Sequence, residues 1–362
     1  MILNRWFLFV FSVFITINSA QAQQKMLEGR VTHAQTQEPI SHTEVFISGT
    51  TIGCISDSLG NFSLKAPFFP CVLVADHVAF DAHIKTLKES SKLHIQLHPS
   101  NYNISGVNVS GKNKRKRNLR FFYSHFIRQY RDKIKVLNDS NLVFNRDEMQ
   151  FLASSKNALL IENNYLGYRI KLVLQEFSVK MYDGPEGQQI PLKSLDGGEV
   201  MKLKGYFYYE PLDKEQPHKA DYFNHNRRIT YHGSYRHFLK SIYDNNPGAE
   251  GYKIKVYPET EAAAFYQLEN NELSTPAKEF VIQAQKLEVF YRFDDDLFPI
   301  PEEFLTDRYY FSQKKSVIYP SRQSFTIRPN GTSPNVNFII DGYMDMKNFA
   351  NSLPEDYTPP QN

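Results

Sequence analysis

What the chain lacks narrows its chemistry first. Only two cysteines, Cys54 and Cys71, occur in 362 residues, and one thiol pair at that spacing matches no zinc-ligand pattern. No His-Glu-x-x-His is present, and none of the 11 histidines heads a His-x-x-Glu pair, so the paired ligands of a zinc hydrolase are missing. The Gly-x-Ser-x-Gly nucleophile elbow is also missing. Gly106 to Lys112 begins like a phosphate loop, but Asn113 stands where Ser or Thr would ligate Mg²⁺. After the first 22 residues no run of about 18 apolar residues appears, so no transmembrane helix is expected. The formal charge is only +3, too little for a global field that would draw the chain to nucleic acid. No cofactor motif, metal site or internal repeat is legible.

What is there begins with a leader. Arg5 supplies a charged start, Trp6 to Ile17 an apolar core too short to span a bilayer, and Ala20-Gln21-Ala22 a small-x-small cleavage site. Residues 1–22 therefore read as a signal peptide. The mature chain is expected to start at Gln23, without a lipid-bearing cysteine and with a charge of +2 once Arg5 is gone. The protein is expected to be exported, to the periplasm or to the outer membrane and cell surface.

Residues 23–110 then read as a β-sandwich of about seven short strands. Leu27 to Val31, Glu44 to Ser48, Asn61 to Leu64, Cys71 to Ala75 and Leu93 to Leu97 are β-like runs, and Asn103 to Ser110 reads as a last strand. Asp57-Ser58-Leu59-Gly60 has turn chemistry, since Asp accepts nearby backbone N–H groups and Gly tolerates φ > 0. Cys54 and Cys71 would either form a disulfide, suited to an oxidising compartment, or pack as two small hydrophobes. These residues resemble the carboxypeptidase regulatory-like domain, a transthyretin-like sandwich. The resemblance rests on the Pro39-Ile40 turn, Gly49-Thr50-Thr51-Ile52-Gly53, Ser56-Asp57-Ser58-Leu59-Gly60-Asn61-Phe62 and His77-Val78-Ala79-Phe80. It implies a fold and an accessory, non-catalytic role.

Residues 111–118 form a basic linker. Asn118 can cap a helix over 119–137, with Leu119, Phe122, Phe126, Tyr130, Ile134 and Leu137 on one face and arginines and lysines on the other. Either this helix rests on an anionic membrane, a peripheral contact, or it docks on a sheet with its cations solvated. Residues 119–362 read as a larger β-rich α+β domain, so the whole chain is mainly β with some α. A hairpin is expected around Asn163-Asn164-Tyr165-Leu166-Gly167. A strand is expected from Val200 to Tyr209 and another at Lys286 to Phe293. A turn at Pro329-Asn330-Gly331 lies between two strands, and a short helix through Phe349 and Leu353 stops at Pro354. This half is similar to the region behind the same sandwich in a family of exported Bacteroidetes proteins. The similarity sits in Ile161 to Tyr168, Asn226 to Leu239 and Leu353 to Tyr357, and it carries no activity.

The densest polar cluster is Arg227, Arg228, Tyr231, His232, Ser234, Arg236 and His237. Gly233-Ser234 opens a helix whose start would bind an anion with arginine support, or simply cap a core helix. A hydrolase would use Ser234 with His232 or His237, but no local spacing supplies the orienting acid. Asp294-Asp295-Asp296 would attract Ca²⁺ or sit on a solvated turn. Tyr206 to Tyr209 with Tyr309 to Phe311 would stack sugars or fill a core. Three classes of function stay open. The first is a non-catalytic envelope protein, binding an envelope protein or a glycan or serving structurally. The second is a hydrolase with a site at 231–237, and the third an adhesin-like surface module.

Overall fold

Alternating apolar and polar residues build the front of the chain. Seven strands follow one another: β1 (Lys25–His33), β2 (Glu44–Ile47), β3 (Gly53–Ile55), β4 (Asn61–Ala66), β5 (Cys71–Asp76), β6 (His83–Leu87) and β7 (Lys92–Leu97). β4 and β7 alternate strictly between exposed and buried positions, so each offers one apolar face to a partner sheet. The strands form two sheets, β4-β1-β7 and β3-β2-β5-β6, and Leu27, Val31, Val45, Ile47, Leu73, Ile95 and Leu97 fill the space between them. The computed structural model describes residues 25–100, 112–127, 130–147, 150–181, 199–258, 265–268, 276–292, 314–320, 323–334, 338–346 and 352–360. The leader, the strand expected at 103–110, Asp294 to Asp296 and Tyr309 to Phe311 lie outside the described residues.

The Asp57 turn forms as its residues dictate. Asp57 Oδ1 accepts from the N–H groups of Leu59 at 2.9 Å and Asn61 at 2.8 Å, and these bonds hold its carboxyl below the usual range. Gly60 has φ +77°, and a Cβ there would lie 2.3 Å from the Val31 carbonyl. The disulfide does not form: Cys54 and Cys71 are both free. Their strands β3 and β5 pair with opposite edges of β2. Two inter-strand spacings, roughly 9.6 Å, then separate them, which exceeds the Cα reach of a bridge.

The second unit opens with α1 (Lys112–Phe126), then β8 (Ile134–Val136), β9 (Leu142–Arg146), β10 (Gln150–Ser155), β11 (Leu159–Asn163), β12 (Tyr168–Met181) and β13 (Glu199–Pro211). β12 organises the sheet. Its first half pairs with β11 and its second half with β10, while β13 runs along its other edge. The helix differs from the expectation at both ends. The basic stretch is part of α1 and not a linker, because lysine and arginine are good helix formers. The helix stops at Phe126, Tyr130 turns the chain with φ 54°, and Ile134 already belongs to a strand. Asn118 lies inside the helix, 2 % exposed, and does not cap it. Phe122 and Phe126 are buried against Phe151 and Phe177 of the sheet. The apolar stripe of α1 is therefore already covered and cannot lie on a membrane.

The remainder contains α2 (Ala220–Tyr231), α3 (Tyr235–Tyr243), β14 (Tyr252–Tyr257), β15 (Phe265–Leu268), β16 (Lys278–Ile282), β17 (Lys286–Tyr291), β18 (Lys315–Tyr319), β19 (Phe325–Ile327), β20 (Ile339–Gly342) and α4 (Tyr343–Met346). One sheet runs β14-β17-β18-β20 and another β15-β16-β19. Phe238, Leu239 and Ile242 of α3 pack into their shared core. The turn at Asn330-Gly331 is present, with Gly331 at φ +80°, but its flanking strands β19 and β20 enter different sheets and make no hairpin. Leu353 and Pro354 lie in an irregular segment, and Phe349 of the expected helix lies outside the described residues.

Candidate functional site

The polar cluster is assembled by α2, the turn after it, and α3. Gly167, with φ +69°, lets α2 lie directly on the β11–β12 turn: a Cβ there would sit 2.3 Å from the Phe223 ring. Arg227 reaches from α2 into that turn. Its Nε donates to Leu166 O at 2.8 Å, and Nη2 donates to Gly167 O at 2.8 Å. Nη1 and Nη2 donate to the Asp213 carboxylate at 3.1 and 2.8 Å. The guanidinium also lies 4.2 Å over the Tyr168 ring. With 6 % exposure, Arg227 is spent on internal partners. Asn226 adds a 2.8 Å bond to Tyr165 O. Arg228 is half-buried, and its carbonyl accepts from His232 N.

Gly233 takes φ +72° between the two helices, and Ser234 caps α3 by accepting from His237 N at 3.1 Å. Tyr231 is buried, its ring 5.2 Å from His237 and 6.2 Å from Tyr357. His237 is 3 % exposed. Its Nε2 lies 3.0 Å from Glu250 Oε2. Its Nδ1 accepts from Gly233 N at 3.1 Å and sits 2.9 Å from the Tyr252 hydroxyl. A backbone N–H only donates, so Nδ1 holds the lone pair and the proton resides on Nε2, facing Glu250. Histidine, carboxylate and hydroxyl thus do meet. However, the lone pair that a general base needs is engaged by the protein's own backbone, and Ser234 Oγ serves as a helix cap.

Arg236 turns the other way, toward the end of the chain. It donates to Asn330 O at 3.0 Å, to Pro354 O at 2.6 Å, and to Tyr357 O. Burial pushes its guanidinium below the ordinary value. The segment it holds, residues 352–357, then grips the sandwich. Asp356 accepts from Thr51 N at 3.0 and 3.2 Å and from Thr51 Oγ1 at 2.5 Å. Glu355 N donates to Gly49 O at 2.6 Å. Gly49 N donates to Phe207 O at 2.7 Å, and Tyr209 N to Thr50 O at 3.0 Å, so the Gly49-Thr50-Thr51 loop is held between β13 and the chain's end. Tyr208 packs on Phe46 at 5.3 Å, and the Tyr209 hydroxyl lies 2.7 Å from Ser352 Oγ. These tyrosines line the seam between the units. Two further cations cross it. Lys171 bonds Asp76 at 2.7 Å and Glu44, while Arg328 pairs with Glu355 at 3.2 Å and donates to Pro70 O. Burial lowers the Lys171 pKa, but Asp76 and Glu44 outweigh it and hold the ammonium above its ordinary value.

Sequence reasoning singled out the stretches that meet here, Asp356 among them without a role, but not Glu250, Tyr252, Asp213 or Arg328. Their only signal is spatial, because no local motif surrounds them. Away from the seam, a cleft of ≈ 950 Å³ on the sandwich is lined by Glu28, Arg30, Asp57, Asn61, Lys92 and His94 among others. Among the described residues, no group of three His, Cys, Asp or Glu side chains is placed to hold a metal, and no helix is long and apolar enough to cross a membrane.

Residues 27–109 match the family described as the CarboxypepD_reg-like domain. The match is confined to this stretch of the chain. The seven strands and the Asp57 turn described above make up most of the matched stretch. No curated protein matches the chain. Among solved structures, a "putative carbohydrate binding protein" from Bacteroides uniformis is 9% identical, covers 75% of this chain and 91% of its own, and has a TM-score of 0.17. A DUF3823 family protein from Bacteroides ovatus is 12% identical, covers 52% and 96%, and has a TM-score of 0.18. At such scores the likeness carries no argument about fold or function.

Proposed function

We propose that this protein is a non-catalytic binding or structural component of the cell envelope, in which the CarboxypepD_reg-like domain is clamped as an arm onto the larger unit. The observation that carries this reading is the use made of the polar cluster. Arg227 and Arg236 donate to internal carbonyls and a carboxylate, and the basic nitrogen of His237 accepts from Gly233 N. A ligand or substrate would have to displace bonds that hold the fold together. Contact with an envelope protein or a glycan would then fall on outer surfaces, such as the mixed-charge cleft of the sandwich. The leader read from residues 1–22 supports export.

Two measurements test the reading. The purified chain is assayed with chromogenic esters, anilides and glycosides beside Ser234→Ala and His237→Gln. The expected result is no turnover in any of the three. Turnover by the wild type that either substitution abolishes would establish the hydrolase in its place. Fractionation of the native cells is expected to place the chain in the envelope, and recovery from the cytoplasm would sink that part.

A further inference from the structure

The cations of α1 divide into two groups. Arg115 is used internally, donating to Leu142 O at 3.0 Å and Asp139 O at 2.8 Å. Lys114, Lys116, Arg117 and Arg120 are exposed. Among the described residues, no carboxylate lies within ion-pair distance of them. At 3.6 residues per turn these four fall within an arc of roughly 160°, and they span about 9 Å of helix axis. Asn118, Phe122 and Phe126, all buried, occupy the opposite side. The helix has no acidic residue in its first turn, although the N-terminal end of a helix is itself positive. Lys114 therefore stands in the first turn, where a cation is least favoured, and Lys116, Arg117 and Arg120 follow it on the same face. Such a violation of local electrostatics is expected where a partner compensates it.

We propose that this face binds an anionic lipid surface by charge alone. A convex arc of flexible cations suits a plane of phosphates in any register. The helix's apolar stripe is buried in the sheet core, so nothing on it can insert into the hydrocarbon, and attraction to the headgroups is the whole of the interaction. The proposal stands on α1 and does not depend on whether the polar cluster is catalytic.

Co-sedimentation of the full chain with vesicles tests it. The vesicles are pure phosphatidylcholine, or phosphatidylcholine with one-third phosphatidylglycerol. Binding is expected only to the anionic vesicles, at low salt, with release at about 0.3 M salt, where screening is strong. Each cation should contribute about fivefold to the partition coefficient. A variant with Lys114, Lys116, Arg117 and Arg120 all changed to glutamine should then bind several hundredfold more weakly, with an unchanged far-UV spectrum. Failure of the wild type to bind anionic vesicles would overturn the proposal, as would equal binding by the variant or binding that survives high salt. Retention on an immobilised acidic polypeptide without vesicle binding would assign the face to an acidic protein and overturn it too.

Discussion

Replacing Asp356 by alanine should loosen the sandwich from the rest of the chain without unfolding either unit. The carboxylate accepts from the amide and the hydroxyl of Thr51. Hydrogen bonds to a charged group contribute about 1.5–3 kcal/mol each, and because this one is half-exposed we take the lower bound for both donors. Their loss amounts to about 3 kcal/mol, or about a hundredfold in the opening equilibrium of the seam. Hydrogen exchange read by mass spectrometry reports this directly. The amides of residues 47–53 and 206–210 should exchange about a hundredfold faster in the variant, while the buried strands β1 and β12 should not change. Asp356→Asn keeps one acceptor oxygen and should lose about half as much in free energy. If residues 47–53 exchange at the wild-type rate in Asp356→Ala, the clasp is not what fastens the domain, and the seam must rest on β13, Lys171, Arg328 and the Glu355 backbone bond.

Two other outcomes follow from buried groups. Arg227→Ala should destabilise the chain by about 3–5 kcal/mol in urea unfolding, because it strands a carboxylate and two carbonyls. Arg227→Lys should recover little of this, since an ammonium lacks the forked donors. Cys71, 4 % exposed, has its thiol pushed by burial to about 11 from an ordinary 9.0. The folded state therefore holds this proton longer than the unfolded chain, and stability should fall by about 2 kcal/mol as pH rises from 9 to 11. Alkaline unfolding curves of wild type and Cys71→Ala would measure it, and an equal slope in both would refute the assignment.

The sequence made some of this visible and hid the rest for one reason. Asp57 and Ser234 act on neighbours two to four residues away, so turn and cap chemistry revealed them. The sandwich strands were legible from alternation alone. Cys54 and Cys71 misled because closeness in sequence says nothing about the strand β2 that lies between theirs. The basic stretch misled because charge hid a helix that propensity favoured. Arg227, Arg236 and His237 were noticed as reactive types, yet each meets partners brought in by other elements: the β11–β12 turn, the tail segment, and Glu250 with Tyr252. Their role could not be read until the fold had placed those partners.

The clasp between Thr51 and Asp356 joins positions 305 residues apart. A chain made from its N-terminus can pair the seven sandwich strands early, since they lie within 73 consecutive residues. It cannot fasten that module fully until Asp356 has been delivered, because long-range contacts close late. Loss of residues 352–357 would leave an intact sandwich held only by β13, Lys171 and Arg328. In a chain cut before that segment, the unclasped amide and hydroxyl of Thr51 would mark the seam as half-closed.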